Sequence, residues 1–419
     1  MLIAGVVALA IVVVLLVLNL TTGAKKVKRE LAHLYGVEDP RFVRTIGTLL
    51  GPAVLPGNRV EALYNGDMIF PAMLSAIRAA QRSVTFETYI YWSGQVGREF
   101  ADALAARAQA GVKVHVLIDA VGAASIDREV FDGMKAAGVE IEMFRPVRWY
   151  TLGKLNHRTH RKLLVIDGRI GFTGGVGIAD LWLGNAQDPD HWRDSHFRLE
   201  GPAVGQMQAA FMDHWITARS VVLHGDDYFP HIEPAGALLA QTFRSGSDDG
   251  VESVRLMYLL SLTAATRSIR IANAYFVPDD LTVETLVAAR ERGVTVEVLV
   301  PGRHSDSKLV RNASRARWGP LLQAGVQISE YRPTMYHCKV MIVDDCWTSV
   351  GSTNFDNRSF RLNDEANLNI LDGEFARAES RQFAADLALA RRITLEFWQR
   401  RPWREKMLER LSALLRSQL

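Results

Sequence analysis

The chain has 419 residues, of which 48% are hydrophobic, and a net charge of +3. This length predicts two or three domains around large cores, and the small net charge gives no argument for a nucleic-acid partner. The two cysteines, Cys338 and Cys346, are too few for a disulfide framework or a zinc site, so we interpret them as reduced packing residues.

The chain begins with an apolar run, MLIAGVVALAIVVVLLVL, over residues 1–18. This run has about the length that crosses a bilayer. A cleaved signal peptide fits poorly, because no basic region precedes the run and no small-residue cleavage site follows it. A buried core helix is disfavoured because every face would be apolar. We predict a transmembrane anchor over 1–20 and a juxtamembrane linker over 21–59. The cations in KKVKRE, residues 25–30, predict that the rest of the chain faces the cytoplasm.

Three pairs of similar segments recur further along the chain. They are 79–91 with 264–276, 107–119 with 289–301, and 160–175 with 337–352. In the third pair, HRKLLVID matches HCKVMIVD, and the histidine, lysine and aspartate are each separated from their counterparts by 177 positions. A common offset at three positions argues against chance similarity. We predict two copies of one unit over 60–222 and 238–395, a linker over 223–237, and a C-terminal amphipathic basic helix over 396–419.

Each unit alternates short Val/Ile/Leu-rich runs with amphipathic helical segments. This alternation predicts an α/β fold with a mostly parallel sheet covered by helices. Two such units in one chain are expected to pack about a pseudo-two-fold axis. Equivalent ends of the two units would then meet at their interface, where ligand sites tend to form.

The repeated pattern His-x-Lys-x-x-x-x-Asp carries the chemistry. On an extended strand, His160 and Lys162 point to the same side, and so do His337 and Lys339. Two ammonium groups suit a dianion or a phosphodiester, and two imidazoles can divide nucleophilic and acid–base work. Fixed positive charge stabilises the oxygens of the transition state. Nothing in this set suits a metal, since lysine is a poor ligand and no thiolate pair is present.

These motifs resemble the signature of the phospholipase D superfamily, the "HKD" enzymes. The resemblance runs from about residue 60 to the C-terminus and includes FETYIYWSG (86–94), GSTNFDNRSFRLNDEANL (351–368) and the WRD before FRLEG. Within the superfamily the chain is most similar to the bacterial cardiolipin synthase branch, which carries an N-terminal membrane segment. The resemblance implies two tandem phospholipase D-like α/β/α repeats related by a pseudo-two-fold axis, together with one N-terminal transmembrane helix.

The same resemblance implies a membrane-bound phosphatidyltransferase that needs no cofactor and no metal. One phosphatidylglycerol would donate its phosphatidyl group through a phosphohistidine, and a second phosphatidylglycerol or another lipid alcohol would accept it, giving cardiolipin and glycerol. The enzyme would be a single-pass protein of the bacterial inner membrane whose catalytic body faces the cytoplasm. A phospholipase D that transfers to water is the alternative, and a nuclease of the same superfamily is a weaker one because of the predicted anchor.

The resemblance also implies roles for residues of the motifs. By family habit His160 is the nucleophile and His337 the acid/base, although the pseudo-symmetry prevents the sequence from deciding this. Lys162 and Lys339 would hold the phosphate oxygens. Asn354 would donate a further hydrogen bond to the phosphate, with Ser352 nearby. The first copy differs here, since its GGVG places Gly177 where the second copy has Asn354.

Four carboxylates accompany the two motifs. Asp167 and Asp344 complete the pattern and are grouped with it, although we expect them to fix the fold or the interface between the repeats. Asp194 in WRDSH and Glu365 in NDEAN are each expected to bond the far nitrogen of a catalytic histidine, which sets its tautomer and stabilises the imidazolium. The alternative for both is a solvated surface acid.

Two segments bear on how the protein meets its substrate. FRPVRWYTLGKLNHR, residues 144–158, interleaves aromatic and basic residues, as a loop at a bilayer interface or a stacking surface for unpaired bases would. Residues 391–419 carry eight Arg/Lys against three Glu. Apolar side chains recur there at helical spacing, namely Trp398, Trp403, Met407, Leu411, Leu414 and Leu415. Such a helix either lies on a membrane surface or packs on the core.

Overall fold

The computed structural model describes residues 31–146, 156–246, 252–415 and 418–419. The predicted anchor, the cations of 25–30 and most of the aromatic segment at 144–158 lie outside these residues. Within the described ranges, no helix is both long enough and apolar enough to cross a membrane.

The first half of the chain alternates strands and helices and then adds a run of short strands. In chain order the elements are α1 (Pro40–Leu50), β1 (Leu55–Tyr64), α2 (Asn65–Ala79), β2 (Ser83–Thr88), α3 (Gln95–Gln109), β3 (Lys113–Asp119), α4 (Arg128–Ala136), β4 (Glu140–Phe144), β5 (Leu163–Ile166), β6 (Ile170–Gly174), a 3-10 turn (Asp180–Trp182), β7 (Ser195–Glu200) and α5 (Ala203–Arg219).

The second half follows the same plan and ends in two helices. Its elements are β8 (Leu238–Ser245), α6 (Ser253–Ala264), β9 (Ser268–Asn273), α7 (Asp280–Glu291), β10 (Thr295–Pro301), α8 (Lys308–Ala316), α9 (Trp318–Gln323), β11 (Gln327–Tyr331), β12 (Lys339–Val343), β13 (Trp347–Gly351), α10 (Asn357–Arg361), β14 (Glu365–Leu371), α11 (Gly373–Ala388), β15 (Ala390–Ile393), α12 (Leu395–Gln399) and α13 (Trp403–Leu414).

The strands of both halves join in one sheet, in the order β15-β11-β10-β9-β12-β13-β14-β8-β1-β7-β6-β5-β2-β3-β4. Read outward from the centre, β1-β7-β6-β5-β2-β3-β4 in the first half has the same order as β8-β14-β13-β12-β9-β10-β11 in the second. The antiparallel pair β1–β8 joins the two series. The two halves therefore share one topology.

The prediction of a mostly parallel sheet is wrong. Among the described strands, only β2–β3, β3–β4, β9–β10 and β10–β11 pair in parallel. In each of these four pairs, a helix lies between the two strands in the chain. The strands that carry the motifs instead turn back at once, as β5 does into β6 and β12 into β13. A connection of a few residues permits only antiparallel pairing, because a parallel crossover needs a dozen residues or more.

Alternate side chains of the motif strands enter different cores. In β5, Leu164 and Ile166 pack towards the helices of the first half, whereas Leu163 and Val165 face the opposite way. This opposite side belongs to a core that both halves share. Its members include Phe197, Leu199, Val350, Leu368, Ile370, Met207 of α5 and Phe383 of α11. Because this shared core is apolar and buried, it fixes the motif strands of the two halves relative to each other.

The motif aspartates lie at the end of each strand that is remote from the histidine. Asp167 follows β5 and accepts hydrogen bonds from the backbone N–H groups of residues 81–83 at 2.8 to 3.0 Å. Asp344 follows β12 and accepts from residues 266–268 at 2.7 to 2.8 Å. Each carboxylate thereby ties the turn after its strand to the start of the neighbouring strand, β2 or β9. The sequence pattern groups these aspartates with the catalytic residues. The structure corrects this grouping, because both carboxylates are bound to backbone N–H groups of their own repeat.

The C-terminal tail is two helices, and not the single helix predicted over 396–419. The chain turns at Pro402 between α12 and α13, because proline lacks the N–H that a continuous helix would need. Helix α13 packs against α8, where Glu409 lies 3.4 Å from Arg315. Trp398 of α12 donates its indole N–H to the backbone carbonyl of Arg315 at 2.8 Å. The tail is thus attached to the second repeat.

Candidate active site

The two motif histidines lie in extended segments that lead into the strands, and not within the strands as predicted. His160 precedes β5 and His337 precedes β12. Each segment is held by the other repeat. The His160 N–H donates to the carbonyl of Asp364 at 2.8 Å, and the His337 N–H donates to the carbonyl of Arg193 at 2.8 Å.

Asp364 and Arg193, whose carbonyls accept these bonds, also donate their own N–H groups to the histidine segments. The N–H of Asp364 donates to the carbonyl of Arg158 at 2.9 Å, and the N–H of Arg193 donates to Met335 at 2.9 Å. Each residue stands directly before a carboxylate, Asp194 or Glu365. The segment that carries each carboxylate is therefore bound to the histidine segment of the opposite repeat, in two equivalent arrangements.

The side chains follow the backbone across this interface. Nδ1 of His160 lies 3.0 Å from Oε2 of Glu365. Nδ1 of His337 lies 2.7 Å from Oδ2 of Asp194. All four side chains are buried or nearly so, so neither carboxylate is a solvated surface acid. With Nδ1 engaged, Nε2 is the ring nitrogen of each histidine that remains for chemistry.

Ser352 holds Glu365 in place. Its hydroxyl donates to Oε2 of Glu365 at 2.5 Å, and the residue is fully buried. Sequence reasoning placed Ser352 beside Asn354 as a substrate contact. The hydroxyl is instead behind the carboxylate, where it fixes the acceptor that His160 faces.

Asp194 is held by a different donor. The indole N–H of Trp182 donates to its Oδ2 at 2.9 Å, and the N–H of Ser195 donates to Oδ1 at 2.8 Å. Gly175 occupies the position equivalent to Ser352, and a Cβ there would overlap the Asp194 carboxylate. A Cβ at Gly177 would lie 3.2 Å from the Trp182 indole. The GGVG of the first copy therefore makes room for Trp182.

Trp182 is a site residue that sequence reasoning missed. Its ring centroid lies 5.4 Å from that of His337, and Trp192 lies at the same distance on another side. Tyr89 lies 5.5 Å from the ring of His160. The one available signal for Trp182 was the pair of glycines that replaces Ser-x-Asn in the first copy.

Lys162, Lys339 and Asn354 are the predicted phosphate-binding residues. Lys162 donates to the carbonyl of His160 at 2.9 Å, and Lys339 donates to the carbonyl of His337 at 2.6 Å. Lys339 Nζ also lies 3.1 Å from Nε2 of His337. Asn354 is buried, and its Oδ1 has no hydrogen-bond partner within the described part of the chain.

Burial dominates the electrostatics of the site. It lowers the pKa of His160 to about 4 despite the opposing effect of Glu365, and it lowers the pKa of His337 as well. Both imidazoles are therefore neutral at pH 7. Burial also lowers the pKa of Lys162 to about 7, and the charge of Lys339 adds to this effect. Charges of both repeats act on one another, since Lys339 also lowers the pKa of His160.

The two carboxylates remain charged although they are buried. Burial alone would raise the pKa of Asp194 and of Glu365, but the histidine paired with each carboxylate and a neighbouring lysine bring both pKa values below their ordinary range. Both carboxylates stay ionised at neutral pH. Among residues 31–146, 156–246, 252–415 and 418–419, no cluster of three or more His, Cys, Asp or Glu is arranged to hold a metal ion.

Comparison with known proteins agrees with this geometry. The family model described as "Cardiolipin synthase, PLD-like domain" matches residues 73–196 and again residues 258–387. Cardiolipin synthase 1 of Bacillus anthracis is 35% identical over 374 residues, which cover 87% of this chain and 73% of that protein. The chain belongs to the phospholipase D-like cardiolipin synthase family. The family predicted from the sequence motifs is confirmed.

One further relative supports the assignment to the cardiolipin synthase family, and one solved structure supports the fold. The major cardiolipin synthase ClsA of Bacillus subtilis (strain 168) is 34% identical over 361 residues, covering 85% of this chain and 75% of that protein. The crystal structure of phosphatidylserine synthase from Haemophilus influenzae Rd KW20 superposes with a TM-score of 0.68, covering 90% of this chain and 100% of that one. At 14% identity, the second similarity shows the fold alone. The α/β architecture with two phospholipase D-like repeats is confirmed.

The two imidazole–carboxylate pairs between the repeats, His160–Glu365 and His337–Asp194, are called the crossed pairs. Their role can be tested by changing each carboxylate to its amide. We expect Asp194→Asn and Glu365→Gln each to lower turnover about a hundredfold or more, because an amide cannot stabilise an imidazolium as a carboxylate does. Turnover would be measured alongside circular dichroism to establish folding. Asp188→Asn is the matched control, since this half-exposed carboxylate contacts His191 at 2.7 Å and neither motif histidine. Normal turnover in both amide variants would refute the role of the crossed pairs.

Proposed function

We propose that the protein is a phosphatidyltransferase that makes cardiolipin and glycerol from two phosphatidylglycerol molecules. The family assignment supports the reaction class. The observation that carries the proposal is the pair of buried His–Lys sets, each with its histidine on a carboxylate of the other repeat. Two neutral imidazoles and two ammonium groups in one buried site suit the transfer of a phosphodiester.

In the first step, Nε2 of His160 attacks the phosphorus of the donor lipid. A P–N bond forms and the bond from phosphorus to the glycerol oxygen breaks, while His337, which must first take up a proton against its lowered pKa, gives that proton to the departing oxygen. Lys162, Lys339 and the Asn354 amide bind the non-bridging oxygens, whose charge grows in the transition state. The low pKa of His160 suits a nucleophile that must be unprotonated.

In the second step, neutral His337 takes the proton from a hydroxyl of the acceptor lipid. The acceptor oxygen attacks phosphorus and the P–N bond breaks, which releases cardiolipin and restores both histidines. The assignment of His160 as nucleophile rests on the family resemblance. It agrees with the shorter carboxylate contact of His337, 2.7 Å against 3.0 Å, because the residue that becomes imidazolium gains most from a close carboxylate.

The reaction can be tested with purified protein in detergent–phosphatidylglycerol micelles, with lipids read by mass spectrometry. We expect cardiolipin and glycerol in equal amounts, and no effect of EDTA. His160→Ala and His337→Ala should each lose at least about a thousandfold of the activity while remaining folded. His224→Ala, at an exposed histidine outside the site, is the control and should retain full activity.

The products separate the proposed transferase from its alternatives. Phosphatidic acid and glycerol would show that water outcompetes the second lipid, so that the enzyme is a phospholipase D. Cleavage of a nucleic acid, with phosphatidylglycerol left intact, would identify a nuclease. Substantial activity in either histidine variant would refute a mechanism that both repeats share.

The lowered pKa of Lys162 gives the enzyme a pH limit. Phosphate binding needs the ammonium form, which is present below a pKa of about 7 and lost above it. We therefore expect kcat/KM, which reports the free enzyme, to fall as the pH rises through about 7. The Lys162→Arg variant should be less active but should lack this fall, because a guanidinium stays protonated. An identical alkaline fall in the variant would assign the limit to another group.

We also propose that residues 1–20 anchor the enzyme in the bacterial inner membrane as one transmembrane helix, with the catalytic body on the cytoplasmic side. The uncharged apolar run and the four cations of residues 25–30 support this arrangement. An anchor would also keep the site near its lipid substrates.

Deletion of residues 1–22 tests the anchor. We expect the full chain to require detergent for extraction from membranes, because about twenty apolar residues are buried in the bilayer. The truncated chain should be extracted by high salt or alkaline carbonate, as peripheral proteins are. Full-length protein that high salt extracts would contradict the anchor. A protease-accessible catalytic body in sealed spheroplasts would contradict the cytoplasmic orientation.

A further inference from the structure

Helix α13 packs on the catalytic body with its polar side and exposes its apolar side. Glu409 and Ser412 are buried against the second repeat, at 3% and 7% exposure. Trp403 is 68% exposed and Leu414 is 77% exposed. An amphipathic helix of a soluble protein normally buries its apolar face, so this orientation is inverted.

The inverted orientation is fixed by ion pairs. Glu409 lies 2.9 Å from Arg401 and 3.4 Å from Arg315 of α8. Glu405, one turn earlier, lies 3.7 Å from the same Arg315. Since Glu409 and Arg401 are both buried, a rotation that turned the apolar face inward would leave these charges without partners, at a high cost. The helix therefore holds its apolar face away from the body.

The exposed apolar residues form one stripe, which we call the apolar stripe. Its members are Trp403, Met407, Leu408, Leu411, Leu414 and Leu415, each between 46% and 77% exposed. Their spacing of three, four or seven residues places most of them on one side of the helix. Single exposed apolar residues are ordinary, but a contiguous stripe of six marks a surface that binds something apolar.

Positive charge borders the apolar stripe. Arg404 and Arg410 are exposed, and within the described structure neither takes part in an ion pair. The acidic residues of the same helix, Glu405 and Glu409, are turned towards Arg315. The outward side of α13 thus combines apolar side chains with cations and directs its carboxylates inward. This is the pattern of a helix that lies on an anionic lipid surface.

The end of the chain ties α13 to the segment that leads to the site. The backbone carbonyl of Leu419 accepts from the N–H of Arg358 at 2.9 Å. Asn156 bonds to both Gln418 and Arg358, at 2.5 and 2.8 Å, and stands four residues before His160. The tail therefore lies beside the segment that carries the first catalytic histidine.

We propose that the apolar stripe of α13 docks on the anionic phospholipid bilayer, beside the segment that leads to His160. The choice of an anionic lipid surface rests on the proposed function and on the charges that border the stripe. Docking at this place brings the lipid surface beside the residues that lead to His160. Substrate would then enter the site from the bilayer without crossing water.

A fluorescent probe at the stripe tests the proposal on the full chain. Leu411→Cys in a Cys346→Ser background carries an environment-sensitive probe, since Cys338 is buried. The matched control is Glu233→Cys, an 80% exposed position. Glu233 lies three residues after Pro230, which is close to Gly168 at the end of β5 that is remote from His160. Both proteins are reconstituted in vesicles of phosphatidylglycerol with brominated phosphatidylcholine, or of brominated phosphatidylcholine alone.

With phosphatidylglycerol present, we expect a blue-shifted emission that brominated chains quench at position 411, and no quenching at position 233. Quenching at 411 should be weaker in phosphatidylcholine alone. Equal quenching at the two positions, or none at 411, overturns the proposal. A blue shift without quenching overturns it in favour of residues 1–18 covering the stripe, and a shift that depends on protein concentration overturns it in favour of a second copy of the chain.

Activity gives a second test. We expect Leu411→Glu combined with Leu414→Glu to lower turnover of phosphatidylglycerol in vesicles about tenfold, because two large apolar side chains no longer enter the bilayer. Turnover in detergent micelles should be unchanged. Equal loss in both assays overturns the proposal. The probe measurement repeated in the His337→Ala chain needs no turnover, so the failure of the proposed reaction and the failure of docking can be told apart.

Discussion

The site depends on one interaction, the imidazole–carboxylate pair that crosses between the repeats. Glu365 of the second repeat orients His160 of the first, and Asp194 of the first orients His337 of the second. The backbone supports the same crossing, since the residues before the two carboxylates exchange hydrogen bonds with the two histidine segments. Neither motif histidine is paired with a carboxylate of its own repeat. Separation of the repeats would leave both carboxylates without their histidines, so the site exists only when the two repeats are packed together.

Burial explains why this site carries so much charge and remains reactive. Lysines and carboxylates are removed from water together, and each offsets part of the desolvation of the other. What remains is a pair of neutral imidazoles and a Lys162 whose pKa is about 7, next to carboxylates whose pKa values are below their ordinary range. A phosphodiester brings the negative charge that stabilises the ammonium groups, so binding of substrate favours the charged form of the site. The motif aspartates do not share in this balance, because they are bound to backbone at the far ends of the strands.

The site residues that occur in both repeats could be predicted from the sequence alone. The common offset of 177 positions identified His160, Lys162 and their counterparts, and the family followed from the motifs. The carboxylates were found as a pair at a different offset, 171, but a repeat relates equivalent residues and does not say which copy each residue contacts. The strand directions were misjudged for a physical reason, since helix–strand alternation holds for β2 to β4 while the motif strands are joined by short turns. Trp182 was missed because it has no counterpart in the second repeat.

The departures from symmetry coincide with a reaction that is itself asymmetric. In the proposed mechanism, one histidine attacks as a neutral base and the other carries a proton, so two identical half-sites would serve neither step well. In the second repeat, Ser352 holds Glu365, and the neighbouring Asn354 is buried with no partner for its Oδ1 among the described residues. In the first repeat, Gly175 and Gly177 admit Trp182, which binds Asp194 and packs against His337. Burial lowers the pKa of His337, and the Asp194 carboxylate at 2.7 Å offsets part of this effect by favouring the imidazolium. The glycines that break the repeat are thus the sequence change that gives the two histidines different surroundings, as the proposed division of their tasks requires.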